Sequence, residues 1–336
     1  MKVVTFGEIL LRLTPEGNLR FVQADRFTAA YGGGEANTAV CLANFGADSV
    51  FVTKLPPHEL GDAAENSLRR YGVDVSRIAR GGERLGVCYS EKGADRRYGG
   101  TVYDRKGSAF ASSLPSDYDW DAVFAGADWF HFTGDVPALN GTLASVCLTA
   151  AKKARARGVT VSCDIDRFSA GKDKDSLRMM SEICRCVDVC IVGGEGFGSA
   201  EVAGIPRSER GIMGREERIS AAESLTKRFG FKIVAAAVPE NVSANEVGWS
   251  AMLYAGGNAY FSRKYAVHAA ERAGVGDSFG AGVVFAMLSG WNEQKIVEFA
   301  AAAGCLKYSV EGEYNLISAR EALALADGDG SAGVRR

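Results

Sequence analysis

Ala273-Gly274-Val275-Gly276-Asp277-Ser278-Phe279-Gly280-Ala281-Gly282 brings two glycines and a carboxylate to the start of an apolar helical run, 277–288, which stops at Gly290. A helix start presents unpaired N–H groups and the positive end of the helix dipole, so it attracts an anion. Glycines let the backbone approach phosphate oxygens with no Cβ in the way. A carboxylate there can take the proton of a hydroxyl about to attack, and the stretch therefore suits phosphoryl transfer. The plainer reading is an N-cap aspartate among glycines that permit tight packing, and this motif alone does not choose between the two.

Outward from this stretch, strand-like and helix-like segments alternate. Strands are predicted at 128–133, 159–164, 187–192 and 232–238, with helices over 139–157, 175–185, 221–229 and 292–308. Ser318-x-x-Glu321 has the form of a capping box that opens a last helix. Buried strands separated by helices imply βαβ units and a mostly parallel sheet covered on both faces. Two segments break the rhythm. Residues 13–35 carry Pro15, Gly17 and a glycine run, and 84–112 read as a hairpin turning at Lys92-Gly93-Ala94-Asp95. With alternate side chains sharing a face, Val87 and Tyr89 go together, as do Thr101, Tyr103 and Arg105. An aromatic and cationic face suits a lid over a polar ligand; an ordinary solvent-facing hairpin is the alternative. The expected organisation is a core of 1–12, 36–83 and 113–326, a β lid of 13–35 and 84–112, and a flexible tail at 327–336.

The chain has 336 residues, 47 % apolar and 24 % charged, enough to bury a sizeable core. Its 39 basic against 41 acidic residues give a formal charge of −2, and neither sign points to a nucleic acid or membrane partner. No stretch reads as a signal peptide or membrane span, and eight cysteines then suggest reduced thiols in a cytoplasmic setting. Cys184-x-Cys186-x3-Cys190 could be read as a metal site. Structural thiols are the stronger reading, since Cys190 lies in an apolar strand and only three histidines exist.

A second glycine cluster, Tyr31-Gly32-Gly33-Gly34-Glu35-Ala36-Asn37, opens a segment with a small apolar face and is neither a dinucleotide fingerprint nor a Walker A loop. Together with Gly274-x-Gly276-Asp277 it resembles the two signatures of the ribokinase-like (PfkB) carbohydrate kinases. Phe6-Gly7-Glu8, Tyr103-Asp104-Arg105 and Trp129-Phe130-His131-Phe132-Thr133-Gly134 resemble the 2-keto-3-deoxygluconate kinase branch in particular.

The resemblance implies an α/β three-layer sandwich with a mostly parallel central sheet and a small β lid. It implies ATP-dependent phosphorylation of a sugar acid hydroxyl, with Asp277 as base and the Gly274, Val275 and Gly276 backbone holding the transferring phosphate. Gly33, Gly34, Asn37, Tyr89, Tyr103, Arg105 and Arg167 are implied at the sugar. Gly274, Gly276 and Asn315 are implied at the nucleotide, and Glu195 at Mg²⁺. ATP and Mg²⁺ are the expected cofactors, a monovalent cation is a further candidate, and the lid is the expected surface for homo-oligomerisation. An arginine suits a carboxylate because its planar fork donates two parallel hydrogen bonds. The alternatives are a kinase for another ketose or modified sugar, and a catalytically weak sugar-binding homologue. The sequence departs from the family pattern at Asp164-Ile165-Asp166-Arg167-Phe168, Gly193-Gly194-Glu195-Gly196, Ala237-Val238-Pro239-Glu240-Asn241 and Glu271. Most of these lie on the nucleotide side, where weaker MgATP binding is expected.

Overall fold

The computed structural model describes residues 1–165, 174–193 and 213–328. From the N-terminus run β1 (Lys2–Phe6), β2 (Leu10–Pro15), β3 (Phe27–Gly32), α1 (Gly34–Phe45), β4 (Asp48–Val52), β5 (Lys54–Leu55), α2 (Glu59–Arg69) and β6 (Ala79–Arg80). The hairpin strands β7 (Val87–Glu91) and β8 (Gly100–Asp104) follow, then α3 (Trp120–Val123), β9 (Trp129–Thr133), α4 (Asp135–Leu139) and α5 (Gly141–Ala156). Next are β10 (Thr160–Asp164), α6 (Lys174–Cys184), β11 (Val189–Val192), α7 (Arg215–Phe229) and β12 (Ile233–Asn241). The chain closes with β13 (Glu246–Ala255), β14 (Asn258–Phe261), β15 (Tyr265–His268), α8 (Val275–Leu288), α9 (Glu293–Lys307) and α10 (Ala319–Ala326).

The main sheet has the order β14-β13-β12-β11-β10-β9-β1-β4, with β15 also on β13. It is parallel from β4 to β12 and antiparallel beyond. Its pleat sends neighbouring residues to opposite faces. Val4, Phe6, Phe130, Val161 and Cys190 pack under α3, α5, α6 and α7. Val3, Trp129, Val189 and Ile191 pack under α1, α8, α9 and α10. Helices thus cover both faces, as the alternating sequence predicts. Cys184 and Cys190 belong to the first of these cores.

Several expectations shift in detail. The helix expected over 139–157 is α5, which opens at Gly141 because Asn140 caps it, accepting from Leu143 N at 2.9 Å, and the short α4 precedes it. The antiparallel strands over 246–268 were not among those predicted above, although Gly256-Gly257, both at positive φ, mark the turn between β13 and β14. Residues 13–35 include a single 3₁₀ turn, Phe21–Gln23. A second sheet, β3-β2-β7-β8, stands apart from the main one, and its first strand opens at Leu10, inside the segment assigned above to the core.

The chain leaves β1 toward β4 on one side and later adds β9 to β12 on the other. Strand order therefore reverses between β1 and β9. In open α/β sheets the crevice at the carboxyl ends of the strands at such a point is where ligands bind. Glu8, Gly134, Asp164 and Gly193 sit at or just beyond those ends.

Candidate active site

Gly274 caps α8 in the left-handed conformation, φ 75°, and a Cβ there would lie 2.3 Å from the Glu313 carbonyl oxygen. Only glycine fits both demands. The helix begins at Val275, two residues before the expected 277, because this cap turns the chain directly into it. The first N–H groups of α8 lack intrahelical acceptors, so they form the anion-attracting end. Asp277 lies in this first turn.

The Asp277 carboxylate accepts a 2.7 Å hydrogen bond from Asn37 Nδ2, in the first turn of α1. The same amide donates to Glu313 Oε2 at 3.2 Å, and Glu313 is ion-paired with Arg12 of β2. Arg12 also donates to Ser90 Oγ on β7 at 2.8 Å. A continuous polar chain thus joins the second sheet to the carboxylate. Gly33 and Gly34 stand beside it. A Cβ on Gly33 would lie 2.1 Å from the Glu8 carbonyl, and one on Gly34 would lie 3.4 Å from Asp277 Oδ1. The structure therefore brings Gly33, Gly34, Asn37, Gly274, Val275, Gly276 and Asp277 together.

Next to them is a buried group of charges around Arg105, whose acidic partners the sequence reading did not assign. Glu8 accepts from Arg105 Nε at 2.6 Å and from Ser108 Oγ at 2.5 Å. Arg105 Nη1 is 3.8 Å from Asp135 Oδ2. Burial by itself would lower the Arg105 pKa, but the charge and hydrogen bond of Glu8, with Asp135 and Glu35, hold it above its ordinary value. Among the described residues the terminal guanidinium nitrogens make no hydrogen bond, so that edge can receive a ligand carboxylate. Glu35 accepts from Thr133 N at 2.9 Å and Thr133 Oγ1 at 2.7 Å. Burial pushes its carboxyl up to about 7 against those hydrogen bonds, and nearby Asp135 adds to the rise.

The lid hairpin corrects one grouping. Cys88 is opposite Tyr103, and Tyr89 is opposite Val102. Directly opposed residues share a face, so Tyr89 and Tyr103 lie on opposite faces. Arg12 is registered with Cys88, and its pairing with Glu313 turns that face toward Asp277. Tyr103 is on this inner face, with the Arg105 guanidinium 5.8 Å from its ring centre. Tyr89 is on the outer face against Phe27, their rings 6.3 Å apart. Cys88 holds the inward position expected of Tyr89. Alternation within each strand is visible in sequence, but register between strands depends on the connection. Residues 92–99 form a long one with its own Ala94–Arg97 bridge.

Among the described residues, the other side of Asp277 is mostly backbone. Gly193, at the end of β11, donates to Asp164 Oδ1 at 3.3 Å, and its Cβ position is 3.4 Å from Gly276 Cα. Pro239, which has no N–H, is paired with Trp249 in the antiparallel ladder. Glu271 accepts from Arg272 N at 2.9 Å and Ala273 N at 3.1 Å, fixing the loop before the anion-binding turn. Burial opposes its ionisation, but those bonds, with Arg12 and Lys92, keep its pKa below the usual value. Asn315 is buried, and its amide donates to Ala303 O at 3.3 Å and accepts from Ile317 N at 3.3 Å. Arg167 and Glu195 lie outside the described residues.

The family model described as pfkB family carbohydrate kinase matches residues 1–200. The 2-dehydro-3-deoxygluconokinase of Thermotoga maritima superposes with a TM-score of 0.92 and is 42 % identical, covering 98 % of this chain and 100 % of its own. The 2-dehydro-3-deoxygalactonokinase of Haloferax volcanii is 26 % identical over 337 residues, 100 % of this chain and 99 % of that one. A putative ribokinase II of E. coli, solved with ATP and Mg²⁺, shares the fold at a TM-score of 0.79 and 18 % identity, covering 97 % of this chain and 99 % of its own.

Proposed function

The chain belongs to the pfkB family of carbohydrate kinases, and on that premise we propose that it transfers a phosphoryl group from MgATP to a hydroxyl of 2-keto-3-deoxygluconate, with Asp277 as the base. The observation that carries this reading is the Asp277 carboxylate, held by Asn37 at 2.7 Å in the first turn of α8, beside the glycine-built anion site. MgATP supplies the phosphoryl group, and Mg²⁺ neutralises its charge.

Asp277 accepts the proton of the attacking hydroxyl, and Asn37 fixes the carboxylate's orientation while it does so. The backbone N–H groups of Val275 and Gly276 face the charge that gathers on the transferred group, without rearranging. The glycine backbone at 193 and 276 and the unpaired N–H groups fit a phosphate closely approached. Among the described residues on that side, the Asp164 carboxylate beside Gly193 would hold the hydration shell of a phosphate-bound Mg²⁺.

On the acceptor side Arg105 reads the sugar's carboxylate with its terminal guanidinium nitrogens, and Glu8 holds that guanidinium in place. The activity named for the Thermotoga maritima neighbour supports this acceptor. The test is a coupled ADP-release screen with sugar acids, neutral ketoses and nucleosides. Turnover should be fastest with 2-keto-3-deoxygluconate. Turnover with ketoses or nucleosides alone would overturn the acceptor.

A further inference from the structure

Lys307 closes α9 with no exposure to solvent. Its ammonium donates to the carbonyl oxygens of Val310 at 2.7 Å and Gly312 at 2.9 Å. Among the described residues no carboxylate lies within ion-pair distance of it. Its Cε is 3.3 Å from the Cβ position of Gly274, so its stem lies against the residue that opens the anion site. The loop it holds continues into Glu313, whose carbonyl also presses on Gly274 and whose carboxylate supports Asn37.

A buried ammonium without a carboxylate partner is expensive by several kcal/mol, and packing alone would be served by a neutral side chain. An anion bound at the start of α8 would supply the missing counter-charge. We propose that Lys307 is a built-in cation of the phosphate site: its fixed charge, caged by the Val310 and Gly312 carbonyls behind Gly274, stabilises the phosphate anion, and it fills the place where a small monovalent ion would otherwise sit among those oxygens. It acts as a positioning residue and a charge, without touching the acceptor. The inference rests on the kinase reading. The competing role is to pin the loop that follows α9 through the Val310 and Gly312 carbonyls, which would affect folding and leave anion binding alone.

The groups facing Lys307 are Glu271 before α8, Asp277 within it, Arg12 of β2, Lys92 after β7 and Cys41 of α1, a buried thiol whose pKa is raised, with Glu313 on its own loop. Burial lowers the Lys307 pKa to about 8, with Glu271 and Asp277 acting against the fall and Arg12 and Lys92 adding to it. Its charge is therefore present below that value and lost above it. The experiment is calorimetric titration of the native chain with MgATP from about pH 7 to about pH 9.5, in potassium chloride and in tetramethylammonium chloride.

Affinity should fall by about tenfold as the lysine deprotonates, and should be the same in both salts. Folded Lys307→Met should bind about tenfold more weakly at neutral pH, lose the alkaline decline, and recover affinity in potassium. A native profile that is flat in pH, or native binding that requires potassium, overturns the inference whether or not the variant folds. A folded Lys307→Met with native affinity does the same. No MgATP binding at any pH would overturn the kinase reading as well, whereas binding with a flat profile removes this inference alone.

Discussion

On the acceptor side of Asp277, side chains hold one another by charge: Arg105 to Glu8, Glu8 to Ser108, Arg12 to Glu313, Glu313 to Asn37. On the proposed donor side the described surface is mostly backbone, from Gly193 through Val275 and Gly276, with the Asp164 carboxylate beside it and Lys307 behind. A side-chain network specifies its ligand closely, but losing one partner strands another buried charge. A backbone cradle recognises a phosphate, which every nucleoside triphosphate carries, and tolerates changes in the side chains around it. The family-typical side chains missing at Gly193 and Val238-Pro239 therefore fall where the backbone does most of the holding.

Asp277 stands between the halves, and its loss should have the largest effect. Asp277→Asn keeps the shape of the site and removes the proton acceptor, so kcat should fall by roughly 10²–10⁴ with binding of both ligands largely retained. Steady-state kinetics and calorimetry on the variant check this, and near-native kcat would remove Asp277 from the mechanism.

A second change tests what the acceptor half costs the fold. Burial raises the Glu35 pKa from 4.5 to about 7. Between those values the folded state binds a proton that the unfolded chain has released. Stability should therefore fall as pH rises from about 4.5 to about 7, and stay reduced above. Glu35→Gln keeps an oxygen for Thr133 and removes the charge. It should be more stable than the native chain above pH 7, by at most roughly 3 kcal/mol, with little difference near pH 4.5. Urea melts across this range would show it, and equal stabilities at high pH would mean that Glu35 ionises without penalty.

The smallest effect is expected on the donor side. A Cβ at position 193 would lie 2.4 Å from Asp164 Oδ2, so Gly193→Ala must push that carboxylate aside. MgATP affinity should drop by about threefold to tenfold, roughly 1 kcal/mol, with the acceptor KM unchanged. A larger change in acceptor KM than in MgATP affinity would blur the division between the halves.

How much of this was legible in sequence follows the same division. The anion-binding turn is local: Gly274, Gly276 and Asp277 are adjacent in the chain, and helix-start chemistry is readable from neighbours. The glycines at 33 and 34 were legible for the same reason. The Arg12–Glu313–Asn37–Asp277 chain was not, because each bonded pair in it is separated by more than two hundred residues and nothing in the stretch around one partner names the other. The Tyr89 and Cys88 exchange shows the intermediate case, in which periodicity is local and register is not. Lys307 did leave a trace, as the one charged residue ending the apolar run Phe299-Ala300-Ala301-Ala302-Ala303-Gly304-Cys305-Leu306.

The acceptor half is argued to read a carboxylate, and the measurement that tests this most directly is a ratio. It compares kcat/KM for 2-keto-3-deoxygluconate with kcat/KM for fructose, in the native chain and in Arg105→Ala. Damage to the fold lowers both terms and leaves the ratio alone. A charge-assisted hydrogen bond contributes roughly 1.5–3 kcal/mol, so the native enzyme should favour the acid by about tenfold to a hundredfold through Arg105, and the variant should lose most of that margin. A native preference for fructose, or a margin that survives in Arg105→Ala, would contradict the account.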